Sequence, residues 1–420
     1  MEKKVIAWSL LIAYPITFFI PPFVDNLDYN AWHTLVINVL NVIAFSYFIS
    51  IKETYNLISN IIKSSVSIAM GLFFLWALIS YFYAVLPTEV IVKLILFVNF
   101  YLLFVNLSTI ITFLKLSKIN ISIFISVCLL FQISASYYSY FRLLEYRAYD
   151  FESNNLLVGI FANRNVTSAV YLLQIPFVIF LVKEVKSIFI RNLGILVLFS
   201  TLFMVFLLAS RTSYVIMVFL FIFYLIRHII SKTKIKSFLT SFFGIYSITL
   251  ILAYVISSAS VGFNNSANMV NRVQTIDFQE TSTNTRIRYY GHAIDQLKEN
   301  PFIGVGYGNW KIVSIDKDKE NIISYIIPYT MHNDFLEALV ELGLIGLIIY
   351  SSIFMIPLYR LRSKFFQNDK LFELVILSSL LIYIIDANIN FPAIRMANIY
   401  YIALILSLFY FVNLNSNESN

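Results

Sequence analysis

Apolar runs of about twenty residues alternate with short polar links along the whole chain, and this pattern sets the first expectation. A helix rises about 1.5 Å per residue, so about 20 apolar residues cross the hydrocarbon of a bilayer. About twelve such spans are expected, near 5–22, 34–51, 66–86, 91–114, 119–141, 166–182, 192–209, 212–226, 237–259, 335–359, 371–387 and 396–413. Inside lipid every backbone N–H and C=O must be satisfied within a helix, so the expected class is all-α, a polytopic membrane protein. An even number of spans puts both termini on one side of the bilayer.

The polar links divide into two kinds. Alternate links carry Lys52 and Lys63; Lys115 and Lys118; Lys183, Lys186 and Arg191; Arg227, Lys232, Lys234 and Lys236; Arg360, Arg362, Lys364 and Lys370. With Lys3 and Lys4 they mark a cytoplasmic face under the positive-inside rule, whereas the opposite link "PPFVDNLDYNAW" has no Lys or Arg. Both termini are therefore expected inside. The net charge of +7 follows from these clusters and does not point to nucleic acid. Composition agrees, with 59% hydrophobic and 13% charged residues and a mean hydropathy of +0.79. One cysteine, Cys128, excludes an internal disulfide and a cysteine-ligated metal. The start, "MEKKVIAWSLLIAYPITFFIPPF", is like a signal peptide, but its run is long and no small-residue cleavage site follows. It is expected to stay as the first span.

Two outer segments are long: 142–165 and 260–333. The second is the one sizeable extramembrane piece expected in a single integral membrane domain of residues 1–420, and loops this long are usually functional. Within it, "TNTRIRYYGHAIDQLKE" over 283–299 has Ile287, Tyr290, Ile294 and Leu297 at helical spacing. Thr283 or Asn284 is placed to cap this helix and Asn300–Pro301 to end it. A turn with Gly304, Gly306 and Gly308 follows, then a charged excursion, "DKDKEN", and a return to the membrane through Pro328 and His332. The glycines lack the preceding strand of a dinucleotide-binding motif, so a tight turn allowing close backbone approach is expected. The tail "NLNSNESN" reads as disordered.

Several polar residues sit where the membrane meets the outer segments. Arg211 lies between two apolar runs in "LLASRTSYVIM", either snorkelling to water or facing a cavity. Arg286 and Arg288, on the loop helix, offer planar forks that suit phosphate oxygens, or simply a solvated face. Arg395, in "INFPAIRMANIYY", is an interfacial anchor or a partner for Asp386. His332 titrates near neutral pH and can take a proton from a hydroxyl, or can hydrogen-bond its own loop. Asp334 and Glu337 resemble a capping box on the positive end of a helix. Glu341, a turn further in on the same face, is not explained by capping. No metal motif is present, and the outer carboxylates are scattered.

Taken together, five stretches resemble the O-antigen ligase and polymerase superfamily of bacterial membrane glycosyltransferases. They are "GIFANRNVTSAVYLLQIP", "LASRTSYVIM", "NTRIRYYGHAIDQLKENPFIGVGYGNW", "MHNDFLEALVELGLIG" and "NFPAIR", over roughly residues 155–400. The combination of "NPFIGVGYGNW" with "HNDFLEALVELGLIG" is the specific part; residues 1–150 match in hydropathy alone. The resemblance implies about twelve spans and one large periplasmic loop with short helices, in the bacterial inner membrane. It implies transfer of a glycan from an undecaprenyl diphosphate carrier to a hydroxyl of lipid A–core, of a growing repeat-unit chain or of a protein, without nucleotide sugar, metal or other cofactor. It maps catalytic roles onto Arg211, Arg286 and His332. Arg288, Arg395, Asn333 and Asn163 are then candidates for substrate binding, and Asn163 and Asn165 match an Asn-rich turn.

The expected chemistry is a single displacement with inversion. Arginines would bind the diphosphate leaving group and His332 would take the acceptor's proton. A ligase is favoured slightly over a polymerase, with a protein O-oligosaccharyltransferase third. A lipid-linked oligosaccharide flippase is the rival from another class. Transporters usually have two related halves and a midplane site; here the distinctive residues gather at one rim.

Overall fold

The computed structural model describes residues 2–21, 29–146, 153–161, 163–230, 235–259, 281–322, 329–367 and 369–417. Parts of the expected outer segments, namely 22–28, 147–152, 162, 260–280 and 323–328, fall outside these residues. So do Lys232, Lys234, Pro328 and the last three residues of the tail.

Among the described residues the chain is all-α and polytopic. Its helices are α1 (Glu2–Ile16), α2 (Tyr29–Ile49), α3 (Lys52–Ile62), α4 (Ser65–Ile79), α5 (Pro87–Phe113), α6 (Lys118–Tyr146), α7 (Arg164–Glu184) and α8 (Ile188–Leu208). Then follow α9 (Arg211–Ile230), α10 (Ile235–Ala259), α11 (Thr281–Glu299), α12 (Trp310–Asp318), α13 (Asp334–Leu361), α14 (Leu371–Ile389) and α15 (Met396–Asn417). Ten of these are long and apolar enough to cross a membrane. The two further expected spans coincide with α1, which has 15 residues, and with α10, whose described apolar part is Phe242–Ile256.

Local chemistry sets many of the boundaries. Ser64 and Ser187 cap α4 and α8 by accepting from Ser67 N and Ile190 N. Pro87 opens α5, where its missing N–H costs nothing. Two helices were not expected. The first, α3, is an amphipathic segment between two spans; it buries Thr54, Ile58 and Ile61 and exposes its other faces. The second, α12, runs from Trp310 into the first residues of the predicted charged excursion and buries Trp310, Ser314 and Asp318 at four-residue spacing. Two of those three residues are polar, so no apolar stripe announces it.

The bundle is arranged around α7 and α15, which are the most buried spans. α15 packs on α5, α13 on α4, and α7 on α6, α8 and α14. Polar side chains join the spans inside: Tyr14 Oη donates to Asn41 Oδ1 at 2.9 Å, and Gln174 Nε2 to Gln132 Oε1 at 2.8 Å. At one end of the bundle Lys3 pairs with Glu53 at 2.9 Å, Lys118 with Glu373 at 3.1 Å, and Arg227 donates to Gln367 O at 3.1 Å. These are the links that the charge pattern grouped together. The other end carries α11, α12 and the starts of α5 and α13.

α13 is broken one third of the way along, at Gly343, whose φ is 68° and ψ −172°. The break releases carbonyls that would otherwise bond within the helix. Val340 O accepts from Val305 N at 3.1 Å, Glu341 O from Gly306 N at 2.8 Å, and Leu342 O from Trp76 Nε1 at 3.0 Å. On the far side Leu344 N donates to Pro301 O at 2.9 Å. The glycine turn therefore docks into an interrupted helix, and these four bonds replace helical ones that the break removes. Gly304, at φ 72°, lies so close to the Glu341 backbone that a Cβ would overlap it. This is the close approach expected of the turn.

Gly343→Ala should be destabilising. It forces an L side chain into the left-handed region, at about 1–2 kcal/mol, and drives a Cβ into the Phe302 backbone. Gly71→Ala, with open space around it, should change stability by no more than about 0.5 kcal/mol. Thermal unfolding of the purified proteins in detergent compares them; equal midpoints would contradict the role given to the break.

Candidate active site

Three segments meet at the α13 end of the bundle: the turn 329–333, the loop 301–309, and the turn 390–395 between α14 and α15. What holds the first two is a cation on α5. Lys93 Nζ lies 2.6 Å from Glu337 Oε1 and 2.6 Å from Glu341 Oε2. Its ammonium is also 4.9 Å from the centre of the Tyr307 ring. The second oxygen of each carboxylate takes a backbone amide: Glu337 Oε2 accepts from Met331 N at 3.1 Å, and Glu341 Oε1 from Trp310 N at 3.2 Å. One lysine thus fixes both the start of α12 and the residue before His332.

The entry to α13 is capped by Asn333, whose side chain accepts from Leu336 N at 3.0 Å. Its side-chain oxygen is therefore already committed to the helix. Asp334 and Glu337 do not form the expected capping box. Asp334 Oδ2 reaches across to accept from Ala393 N at 2.9 Å and ties the 390–395 turn to α13. Asn30 holds the same turn from the other side, donating to Ile394 O and accepting from Met396 N, both at 2.9 Å.

Between these ties sits His332, itself in the left-handed region at φ 58°. For a non-glycine residue that conformation is uncommon and persists where the surroundings over-determine it. Here the Glu337 bond at Met331, the Asn333 cap and a 3.4 Å bond from Tyr290 Oη to His332 O do so. The ring meets Phe391 edge to face, 4.7 Å between centres. Nδ1 is buried and accepts no hydrogen bond. Burial, and then the charges of Arg286 and Arg395, push the imidazole pKa down to about 4. At neutral pH His332 is an uncharged base facing two cations.

The arginines arrive from three elements. Arg286, on α11, donates to Ile389 O at 3.1 Å at the end of α14. Arg395, at the start of α15, lies 4.8 Å over the Phe391 ring. Arg211 opens α9, just after Ala209 ends α8 in the left-handed region at φ 48°. The neighbours of Arg211 bind the same region: Ser210 Oγ donates to Asn165 Oδ1 at 2.7 Å, and Asn390 Nδ2 donates to Thr212 Oγ1 at 3.1 Å. Asn163 caps α7, accepting from Asn165 N at 2.8 Å. Asn163, Asn165, Asp386, Asn390 and Arg395 line one small cavity. Asp386 accepts there from Asn390 Nδ2 at 2.7 Å and from Asn398 Nδ2 at 3.5 Å.

Arg288 is placed differently. Two residues along a helix turn the side chain by roughly 200°. It faces Asp318 on α12 and forms a two-point pair, Nε to Oδ1 at 2.6 Å and Nη2 to Oδ2 at 3.0 Å, with His292 Nε2 3.3 Å from Oδ1. Burial works to raise the Asp318 pKa, but the bonds from Arg288 and His292 outweigh it and hold it below the ordinary carboxylate value. Arg288 thus joins α11 to α12, while Arg286 faces His332. Among the described residues no three His, Cys, Asp or Glu side chains gather in a metal-binding group.

Residues 195–351 match the family model for O-antigen ligase. The segment runs from α8 to the middle of α13 and takes in Arg211, Arg286, the glycine turn and His332. The match, over little more than a third of the chain, supports the resemblance to the O-antigen ligase and polymerase superfamily. It supports a membrane glycosyltransferase like the O-antigen ligases and polymerases. No curated protein matches the chain. Sequence reasoning missed Lys93, Tyr290, Phe391 and Asn390. Lys93 offered one signal, a lone cation near the start of an expected span, where a charge is costly without a partner.

Lys93→Met leaves two buried carboxylates facing each other. Breaking a buried ion pair in this way costs roughly 3–5 kcal/mol, so the unfolding midpoint in detergent should drop sharply. Adding Glu337→Gln and Glu341→Gln should recover part of the loss; no recovery would show that charge is not what Lys93 supplies.

Proposed function

We propose that this protein is an inverting, metal-independent ligase of the bacterial inner membrane. It moves a glycan from an undecaprenyl diphosphate carrier to a hydroxyl of lipid A–core at the periplasmic face. The observation that carries the proposal is the buried His332 ring, its Nδ1 without a hydrogen bond, set beside Arg286 and Arg395. A base that must work beside an anionic leaving group needs both features in one place: a nitrogen free to take a proton and cations for the developing charge.

In this mechanism Arg211, Arg286 and Arg395 bind the carrier's diphosphate, which lies at the membrane surface with its prenyl chain in lipid. Guanidinium forks suit its oxygens. The acceptor hydroxyl oxygen attacks the anomeric carbon from the face opposite the diphosphate. The bond from that carbon to the diphosphate oxygen breaks, its electron pair stays on the diphosphate, and the arginines stabilise the added charge. The hydroxyl proton passes to His332. Undecaprenyl diphosphate leaves, and the sugar is linked with inverted configuration. Asn163 and Asn333 act by shaping the site, since their side chains cap α7 and α13. Arg288 acts through the loop that it joins to Asp318.

The orientation follows from charge. Lys3, Lys118 and Arg227 lie at the bundle end opposite His332, so the positive-inside rule supports cytoplasmic termini and a periplasmic site.

Arg211→Ala, Arg286→Ala and His332→Ala, at matched expression, should each lower glycan transfer by about 100-fold or more. Lys at 286 should rescue poorly, because an ammonium lacks the fork. Transfer at wild-type level in all three alanine variants would remove the proposal. The pH dependence has a definite sign. His332 stays unprotonated as pH falls from neutral and gains its proton only near about 4, so kcat/KM should hold through mild acid and fall as that value is approached. A fall centred on the ordinary histidine value of 6.5 would contradict the site's electrostatics.

A further inference from the structure

A second cavity, of about 450 Å³, is lined by Tyr329 and Thr330 at the start of the 329–333 turn, and Arg211, Arg286 and Arg395 are not among its lining residues. Its charged walls are Glu89, Lys93, Lys311, Glu337 and Glu341. Lys93 is shared by two carboxylates, and Lys311 Nζ lies 2.5 Å from Glu89 Oε2. Three carboxylates against two ammonium groups give the walls a formal charge of −1. Both cations are already matched, so this cavity is poorly suited to a diphosphate. It is rich in what sugar hydroxyls need: carboxylate oxygens to accept and ammonium groups to donate, with the Thr34 and Thr330 hydroxyls beside them.

Its other wall is apolar. Val92, Ile95 and Leu96 line it on α5, and Val92 and Ile95 are exposed on the bundle surface, where lipid would lie. A ligand with a hydroxylated headgroup and an apolar anchor fits both walls at once. The cavity also ends close to the base. Thr330 is two residues from His332, a stretch of at most about 7 Å, and Ile394 is next to Arg395. The Glu337 carboxylate in its wall bonds the Met331 amide directly.

We propose that this cavity is the acceptor subsite, holding the hydroxylated sugar headgroup of a membrane-anchored glycolipid. The inference rests on the proposed transferase reading and adds to it a division of labour. Cationic residues on one side of His332 take the diphosphate donor, and an acidic, hydroxyl-lined cavity on the other takes the acceptor. Two glycolipids share the required chemistry: lipid A–core, and a second carrier-linked repeat unit.

The test fills or alters the cavity without touching the arginines. Thr34→Trp occupies its volume, and Lys311→Met removes a donor at its partly exposed wall. Both purified variants and wild type are reconstituted in vesicles with undecaprenyl diphosphate-linked glycan as donor. Lipid A–core is titrated in one arm and a carrier-linked single repeat unit in the other. The Michaelis constant for the productive acceptor should rise about tenfold in Thr34→Trp and about fivefold in Lys311→Met. The donor's constant should stay within about twofold of wild type. The arm that responds identifies the acceptor. An unchanged acceptor constant, or equal changes for donor and acceptor, overturns the assignment. Should wild type transfer glycan in neither arm, the transferase reading fails by itself, and binding then judges the cavity. Lipid A–core, which lacks the carrier diphosphate, should raise the wild-type unfolding midpoint and leave Thr34→Trp unmoved. No shift in wild type, or equal shifts in both, overturns the assignment.

Discussion

A single ammonium group, that of Lys93, decides how this end of the bundle is assembled. Two carboxylates four residues apart on α13 would repel each other strongly at membrane depth. Lys93 sits 2.6 Å from each and turns that repulsion into a bridge. Because each carboxylate has a second oxygen, the bridge extends into the backbone at Met331 and at Trp310. The break at Gly343 works with it by offering the Val340 and Glu341 carbonyls to the glycine turn. Loop and helix are thereby locked together at the rim, where an enzyme acting on lipid-linked substrates needs rigidity.

The charge distribution that results is uneven, and the chemistry follows from that. On one side of the 329–333 turn Arg211 and Arg286 come from α9 and α11 and Arg395 from the turn before α15; Asp386, which lines a cavity with Arg395, already accepts from Asn390 and Asn398. On the other side every described cation has a carboxylate. His332 stands between the two and is kept uncharged by burial and by the cations. Its left-handed backbone is the kind of local strain that a surrounding network must sustain. The network here is the one that begins at Lys93.

Much of this was legible in the chain, and what was not has physical reasons. Spans are legible because run length in lipid is a strong constraint; α1 and α10 agree with expected runs although they fall short of the ten clear ones. The glycine turn was legible as a close approach, but not what it approaches, since Gly304 meets a backbone break nearly forty residues on. Capping was correctly expected at the start of α13 and assigned to the wrong residues. Asn333 does it, which frees Asp334 and Glu337 to reach other segments. Glu341, which capping did not explain, has its partner in Lys93, 248 residues away in sequence. Arg286 and Arg288 looked equivalent because they are neighbours in sequence, and helical geometry separates them. α12 was hidden because its buried face is mostly polar.

The most direct measurement is a structure of the protein in lipid with undecaprenyl diphosphate bound. The account predicts diphosphate oxygens within hydrogen-bond distance of Arg211, Arg286 and Arg395, with the His332 ring left open toward the 329–333 turn. Diphosphate seated instead against Lys93 and Lys311, with the three arginines turned away from it, would contradict the central claim.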